Sequence, residues 1–358
     1  MWVDKPTKLC YNPVSDRVAI ACEARNLKGF LREPLYHFIR RSVSLDDKKF
    51  MTYDEQIRFL QNEKLLIIDN PTKALSLLKQ HSYFALINGY KHPFKNKNGT
   101  YKARTTLEDI YALYCFDNKI RYILMRNIMD VEIHIKSLLS YAFADKFGEL
   151  ETAYLAATNY NYSNVIYQSD INELIRILTD VRNNCNTYTY MKHQKECHGN
   201  IPPWVIMKAI TLGNVSKMYS CQKPEIQTVV SKEFPGVTEG NLEAFLDLLT
   251  RFRNVCAHNE RLFNYRYYKR SINDMQIHKA MNIPKKNNRY TKGKSDLFAV
   301  LIALKYLQAA DKFSALIQEL NEAINHLLKS TAQIKREQLY KYMGFPTDWE
   351  SIEQITVK

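Results

Sequence analysis

The stretch TTLEDIYALYCFDNKIRYILMRNIMDVEIHIKSLLSYAFADKFG, residues 105–148, decides the fold class of this 358-residue chain. Apolar residues recur along it at the three- and four-residue spacing that places them on one helical face. Thr105 and Glu108 form a capping-box pair at its start, and Gly148 supplies a stop. A helix of this length usually forms the spine of a bundle, so the sequence predicts an all-α helical bundle.

Helix signals also occur on both sides of this segment. Thr52 with Glu55 forms a second capping box, and Asn70 before Pro71 marks a further helix start. No segment shows a convincing alternating strand pattern, and the predicted disordered segment is 282–295. The remaining predicted helices are 163–183, 200–213 with Gly213 as its stop, 239–258 and 296–328.

We divide the chain into four parts on this basis. Residues 1–50 are mixed in pattern, and 51–104 form a helical N-terminal region that includes a basic loop. The bundle itself covers 105–330, and 331–358 form a C-terminal tail helix. The predicted fold is therefore a helical bundle with additional N-terminal helices.

Positive charge is concentrated in two runs of this chain, whose net charge is +14. Residues 72–107 contain seven Lys or Arg and no acid, and 261–294 contain ten Lys or Arg and one acid, Asp274. Tyrosines are interleaved with the second run. Basic groups that neutralise phosphates, beside aromatic rings that stack on bases, favour RNA as a partner over a basic surface that only meets solvent.

The cysteines indicate a reducing compartment. Their number is seven, and no two are spaced as a CxxC pair, which fits free thiols in the cytoplasm better than a disulfide framework. Cys185, His193, Cys197 and His198 lie close together but match no zinc-ligand pattern, so we expect no metal and no cofactor. No apolar run is long enough to span a membrane, and no secretory signal is evident.

The stretch LTRFRNVCAHNERLFN, residues 249–264, raises the question of a functional site. On a continued helix, Asn254, His258 and Arg261 share one polar face, opposite an apolar stripe formed by Leu242, Phe245, Leu249, Phe252 and Cys256. Arg253 lies roughly 140° around the helix from His258. A wrapped arginine side chain, a loosened helix end or a dimer would bring the two together.

These residue types fit RNA cleavage without a metal. A histidine near neutral pH transfers protons in either direction, an arginine fork matches phosphate oxygens, and an asparagine orients one or the other. The bare Arg-x4-His spacing is weak evidence, because Arg32 and His37 repeat it around Pro34. The structural alternative is that Arg253 forms a salt bridge within the bundle and His258 caps a neighbouring helix.

Four stretches, in order, resemble the abortive-infection family of bacterial phage-defence proteins, the AbiD/AbiF-like group. They are residues 53–94, which end in Gly89-Tyr90 and Pro93-Phe94, then 120–148, 202–220 and the RNVCAHNERLFN segment. The resemblance spans about 51–270. That family is similar to the HEPN (higher eukaryotes and prokaryotes nucleotide-binding) superfamily, whose members are helical, commonly dimeric and often cleave RNA without a metal.

The resemblance implies that Arg253, Asn254 and His258 are catalytic, and that two motifs meet in one basic cleft of a homodimer. An endoribonuclease effector is therefore the first functional hypothesis. The alternative is a non-catalytic protein that holds a structured non-coding RNA, as part of a regulated toxin-like complex. A peripheral membrane or protein-partner scaffold is disfavoured, because the long helix carries charges of both signs. The predicted RNA-binding residues are Arg261, Arg266, Lys269, Arg270, Lys285, Lys286 and Arg289 in the second basic run and Lys91, Lys95, Lys97, Lys102 and Arg104 in the first.

Overall fold

A computed structural model describes residues 50–357. Its contacts divide the chain into two compact units, Met1–Glu55 and Gln56–Lys358. The predicted mixed segment at 1–49, with its second Arg-x4-His pattern at Arg32 and His37, lies outside the described residues. Within the described part the all-α prediction is confirmed, since helices build the fold and the strands form one short hairpin.

The α-helices are α1 (Tyr53–Arg58), α2 (Pro71–His81), α3 (Leu107–Phe147), α4 (Glu151–Leu155), α5 (Val165–Asn183), α6 (Thr189–His198), α7 (Pro203–Ile206), α8 (Leu212–Ser220), α9 (Pro224–Ser231), α10 (Glu239–Ala257), α11 (Gln276–Ala280), α12 (Leu297–Leu307), α13 (Ala310–Ser330) and α14 (Arg336–Met343). Strands β1 (Lys285–Lys286) and β2 (Arg289–Tyr290) pair antiparallel. Short 3-10 turns cover His92–Phe94, Ala157–Asn159, Cys185–Thr187 and Trp349–Gln354, and π-helical turns cover Phe59–Glu63 and Phe84–Asn88.

Helix α3 is the spine of the second unit. Helices α9, α10 and α13 pack along it, and the apolar stripe predicted for it is largely buried. Helix α12 is apolar and buried except at the half-buried Lys305, and it contacts α3, α10 and α13. A helix that is apolar on nearly all sides is stable in the core, so α12 marks the centre of the bundle.

The predicted capping box of α3 is shifted by one residue. Thr106, not Thr105, accepts from the N–H of Asp109 over 3.1 Å, and its own N–H donates to the Asp109 carboxylate over 2.8 Å. Thr105 is buried, and its carbonyl accepts from the N–H of Ile67. The signals at Thr52 with Glu55 and at Asn70 before Pro71 are confirmed by their hydrogen bonds.

Two predicted helix boundaries are wrong. Gly213 lies inside α8 instead of ending a helix, and a Cβ there would come 3.4 Å from a methyl carbon of Thr250 on α10. It therefore serves close packing between the two helices. The predicted helix 296–328 is two helices, because the chain extends at Gln308, whose side chain donates to Asn127 of α3.

The segment predicted to be disordered, 282–295, is folded. It contains the β1–β2 hairpin, and the ring of Tyr290 stacks on the buried His278 with centroids 4.7 Å apart. The N–H of Gly293 donates to Asp296, which caps α12. The polar and basic residues of this segment led to the prediction of disorder. The contacts with His278 that anchor the segment are not visible in the local sequence.

Candidate functional site

Helix α10 carries the Arg-Asn-His motif at its C-terminal end. Its predicted apolar stripe, from Leu242 to Cys256, is buried against the bundle. Burial also raises the pKa of the Cys256 thiol to about 12, so this cysteine is a packing residue and not a nucleophile. The stripe fixes which way the helix faces, and it leaves His258 exposed and Arg253 and Asn254 half-buried at the last turn.

The helix ends in a Schellman motif, in which a left-handed residue reverses the chain. Asn259 adopts a φ of 53°, its N–H donates to the carbonyl of Cys256, and the N–H of Glu260 donates to the carbonyl of Val255. His258 is the C-cap residue and is exposed. The prediction that Arg261 continues the same helical face is therefore wrong, because the helix has already ended.

The motif side chains lack internal partners. Arg253 and Asn254 are half-buried, and the Nε of Arg253 is shielded from solvent with no acceptor among residues 50–357. Within this same range, no hydrogen bond or ion pair involves the side chains of Arg253, Asn254 or His258. The structural alternative, a salt bridge from Arg253 and a cap from His258, thus finds no support in the described part of the chain.

A buried carboxylate on α3 holds the turn that follows the motif. Asp117 accepts from the N–H of Leu262 over 3.0 Å and from the N–H of Phe263 over 2.6 Å. Arg121, one helical turn further on, pairs with Asp117 and donates to the carbonyl of Glu260 over 3.1 Å. Burial raises the pKa of Asp117, and Arg121 with the two N–H groups counters that shift by favouring the carboxylate.

The same carboxylate attaches the Gly89-Tyr90 segment to this turn. The hydroxyl of Tyr90 donates to Asp117 over 2.6 Å, and its ring stacks on Phe263. Arg261 donates to the carbonyl of Gly89 over 2.7 Å. These contacts place the middle of the first basic run beside the end of the motif helix, although 172 residues separate Gly89 from Arg261.

Sequence reasoning missed Asp117, Arg121 and Tyr90 as site residues. A signal was present, because Asp117 and Arg121 are an i, i+4 pair of opposite charge set among the apolar residues of α3. Charges on the buried face of a helix require partners, which here are the two backbone N–H groups and the tyrosine. Such a pair predicts that polar backbone docks there.

Lysines of the first basic run form a cluster beside this segment. The pKa of Lys95 is lowered by burial and by the positive charges of Lys91 and Lys64. Lys91 donates to Asn88, and Lys102 donates to the carbonyl of Pro93 over 2.6 Å. These partners are uncharged, so the excess positive charge of the loop is not neutralised by them.

The predicted RNA-binding residues fall into two groups. Some already interact with the protein. Arg266 donates to the carbonyls of Tyr265 and Lys341. Lys285 pairs with Asp274 and lies over the Tyr290 ring, and Lys95 lies over the Tyr101 ring. Others are exposed, and their side chains form no hydrogen bond or ion pair within the described range. This second group is Lys97, Arg104, Lys269, Lys286 and Arg289.

The second basic run extends away from the motif. Its chain returns along α10, since the Arg251 guanidinium lies over the Tyr267 ring and Arg270 pairs with Glu243 over 2.8 Å. At about 1.5 Å per residue, Glu243 is about 22 Å along the helix axis from His258. Arg270 therefore lies far from the motif, whereas Arg261 lies next to the helix end that carries it.

In the described part of the chain, no group of three His, Cys, Asp or Glu side chains is arranged to hold a metal ion. The Sγ of Cys197 lies 3.5 Å from the Nδ1 of His193. Between residues 50 and 357, no helix has the length and apolar character that crossing a bilayer requires.

Fold and site together define a helical protein with an Arg-Asn-His motif at a helix C-terminus, whose side chains find no partner within the described residues. The family model for Abi-like proteins matches residues 76–264, just over half of the chain, and the chain belongs to that family. The match contains Tyr90, Asp117, Arg121 and the motif. Neither the curated proteins nor the solved structures gave a match to this chain.

Proposed function

We propose that this Abi-like protein acts in phage defence by abortive infection, as a HEPN-type endoribonuclease that cleaves RNA in the cytoplasm without a metal. One observation carries the proposal. Arg253, Asn254 and His258 all belong to the last turn of one helix, and their side chains have no hydrogen-bond or ion-pair partner among residues 50–357. An arginine without a counter-charge and an exposed histidine suit an anionic ligand on which protons are transferred.

Each motif residue has a role in the proposed reaction. The 2′-hydroxyl of the ribose attacks the adjacent phosphorus, its proton leaves, and the 5′-oxygen of the next nucleotide takes up a proton as the P–O bond breaks. His258 transfers protons in this step, and Arg253 stabilises the added negative charge on the phosphate oxygens. Asn254 orients the phosphate or the imidazole. The products are a 2′,3′-cyclic phosphate and a free 5′-hydroxyl.

A homodimer is part of the proposal, and a stripe of exposed apolar residues on α3, interrupted by the exposed Arg126, supports it. Tyr122, Met129 and Ile133 are exposed and share one face at i, i+7 and i+11. Exposed apolar patches of this kind mark interaction surfaces. Arg121, next to Tyr122, contacts the turn after the motif, so a second copy packed on this stripe would bring its own motif to the same region.

The test is cleavage of a labelled single-stranded RNA by purified protein in the presence of EDTA. His258→Ala should lower the rate by at least about a hundredfold, as expected for loss of a proton-transfer group. His326→Ala is the matched control, since His326 is an exposed histidine on α13. Arg253→Lys should also slow cleavage, because an ammonium cannot reproduce the guanidinium fork, whereas Arg251→Lys on the same helix should not.

The alternative is a protein that holds a structured RNA without cutting it, and the same assay separates the two functions. The exposed cations and the lysine cluster around Lys95 support RNA binding in both cases. Binding that persists while neither wild type nor His258→Ala cleaves RNA would favour the holding function. Loss of cleavage in the His326→Ala control to the same extent would reject His258 as the proton-transfer residue.

A further inference from the structure

A pocket of about 450 Å³ lies at the C-terminal side of the chain, outside the segment that matches the Abi-like family. It is formed between the loop that follows the β1–β2 hairpin, helix α14 and the turn after that helix. Its lining residues are Lys292, Arg336, Glu337, Tyr340, Lys341, Phe345 and Thr347.

Within the described part of the chain, the cations of this pocket have only uncharged partners. Lys292 donates to the carbonyl of Phe345 over 2.7 Å. Arg336 donates to the side-chain oxygen of Asn325 over 2.8 Å and to the hydroxyl of Tyr340 over 3.1 Å. The side chain of Lys341 forms no hydrogen bond, and none of the three cations reaches ion-pair distance of an acid among residues 50–357. By contrast, Lys294 and Lys285 nearby both pair with Asp274.

The pocket walls are held rigidly. Gly344 ends α14 with a φ of 78°, and a Cβ at this position would come 2.3 Å from the Asp296 carboxylate. The turn that carries Phe345 and Thr347 is therefore pressed against the start of α12. Because Lys292 is bonded to the same turn, its ammonium group is positioned before any ligand arrives, which lowers the entropy cost of binding.

We propose that this pocket binds a phosphate group of a nucleotide. Three cations against one acid, Glu337, leave an excess of positive charge, and the hydroxyls of Tyr340 and Thr347 add neutral hydrogen-bonding groups. Its volume falls within the range of about 300–1,000 Å³ typical of small-molecule sites, so it has room for more than an inorganic ion. The phosphate can come from a free nucleotide or from an RNA strand.

The charge of Arg266 is not counted in this excess. Its guanidinium donates to the carbonyl of Lys341 over 3.3 Å, so it lies at the pocket edge. Burial raises the pKa of Asp296, and the positive charge of Arg266 counters part of that rise. Arg266 does not line the pocket, but it joins the basic run after the motif to the pocket wall.

The test is calorimetric titration of the full chain in a His258→Ala background, so that RNA is not consumed. The probes are inorganic phosphate, 5′-AMP, ATP and a 12-nucleotide single-stranded RNA. Lys341→Glu should weaken binding of the phosphorylated probe about tenfold or more, because it removes a charge-assisted hydrogen bond and adds repulsion. Lys335→Glu is the control, since Lys335 is exposed at the start of the same helix but does not line the pocket.

The binding data for Lys341→Glu and Lys335→Glu either support or overturn the phosphate site. Weakened binding of 5′-AMP or ATP in Lys341→Glu but not in Lys335→Glu supports the pocket with a free nucleotide as its ligand. A selective effect on the RNA alone supports it with a strand phosphate. Equal effects of the two variants, no effect of either, or no binding of any probe by the parent protein would overturn the proposal. Loss of the nuclease reaction alone leaves it standing, because binding is measured without cleavage.

Discussion

The backbone N–H of Phe263 donates to the carboxylate of Asp117 over 2.6 Å, although 146 residues separate them in the chain. This bond fixes the chain five residues after His258 to the spine helix α3. Since Arg121 neutralises Asp117 and also holds the carbonyl of Glu260, the turn after the motif is attached at both of its ends. The position of the motif therefore depends on a buried ion pair that takes no part in the proposed chemistry.

Asp117→Asn should destabilise the protein strongly. It leaves the buried Arg121 guanidinium without its counter-charge, and breaking one side of a buried pair costs about 3–5 kcal/mol of unfolding free energy. Urea denaturation measures this loss. Asp145→Asn, an exposed position on the same helix, should change stability by less than about 0.5 kcal/mol. Equal stabilities of the two variants would contradict the role of Asp117.

Replacement of Asn259 by glycine should change the free energy of unfolding little, whereas replacement by valine should lower it. Its φ of 53° lies in the left-handed region, which glycine adopts freely and which costs other L-residues roughly 1–2 kcal/mol. Asn259→Gly should therefore shift the free energy of unfolding by less than about 1 kcal/mol. Asn259→Val should lower it by more, and should also reduce cleavage because His258 caps the distorted turn. Similar behaviour of the two variants would show that this turn is not constrained.

Acidification should loosen the hairpin region through His278. This histidine accepts from the N–H of Met275 at Nδ1 and bonds the carbonyl of Gly293 at Nε2, so its folded form is neutral. Burial lowers its pKa below the ordinary 6.5, the positive charge of Lys294 lowers it further, and its two backbone hydrogen bonds and Asp274 partly counter the shift. The unfolded chain then binds more protons, so stability is complete above about pH 6.5 and falls as the pH drops.

The measurement is the free energy of unfolding between pH 7 and pH 5. His278→Ala should have a smaller pH dependence than the wild type, together with lower stability at pH 7. His326→Ala should keep the wild-type slope, since its imidazole is exposed. An unchanged slope in His278→Ala would mean that other groups take up the protons.

The exposed stripe on α3 should mediate association of two copies. Ile133→Lys places a charge on the stripe, so sedimentation equilibrium should show a shift from dimer to monomer. Ile166→Lys is the control, because Ile166 is an exposed isoleucine on α5 away from the stripe. If the wild type sediments as a monomer, or if Ile133→Lys remains a dimer, the stripe on α3 is not the dimer interface.

The helices that the sequence predicted correctly are those whose periodicity or capping residues lie within the helix itself. The periodicity of α3 and of α10 predicted both helices, and Asn70 before Pro71 predicted the start of α2. The same reasoning failed at Gly213, because a glycine that ends a helix and one that allows close packing on Thr250 look alike in one sequence.

The candidate site was predicted only in part for a related reason. Residue types and spacing single out Arg253, Asn254 and His258 as candidates, and their site role stays a prediction, with no side-chain partner for them among residues 50–357. The long-range contacts that place them could not be found in this way, because Asp117 and Leu262 meet only after the bundle has folded. Likewise, the residues that flank Arg261 and Arg270 in the sequence do not distinguish the two. In the structure Arg261 donates to the carbonyl of Gly89, whereas Arg270 pairs with Glu243 near the start of α10.

Analysis of the RNA ends left by the purified protein tests the central claim most directly. Attack by the 2′-hydroxyl, with His258 transferring the protons and Arg253 on the phosphate, predicts 2′,3′-cyclic phosphate and 5′-hydroxyl ends in the presence of EDTA. Those ends should be missing from the products of His258→Ala. Fragments with 3′-hydroxyl and 5′-phosphate ends, or cleavage that appears only when magnesium is added, would contradict the account.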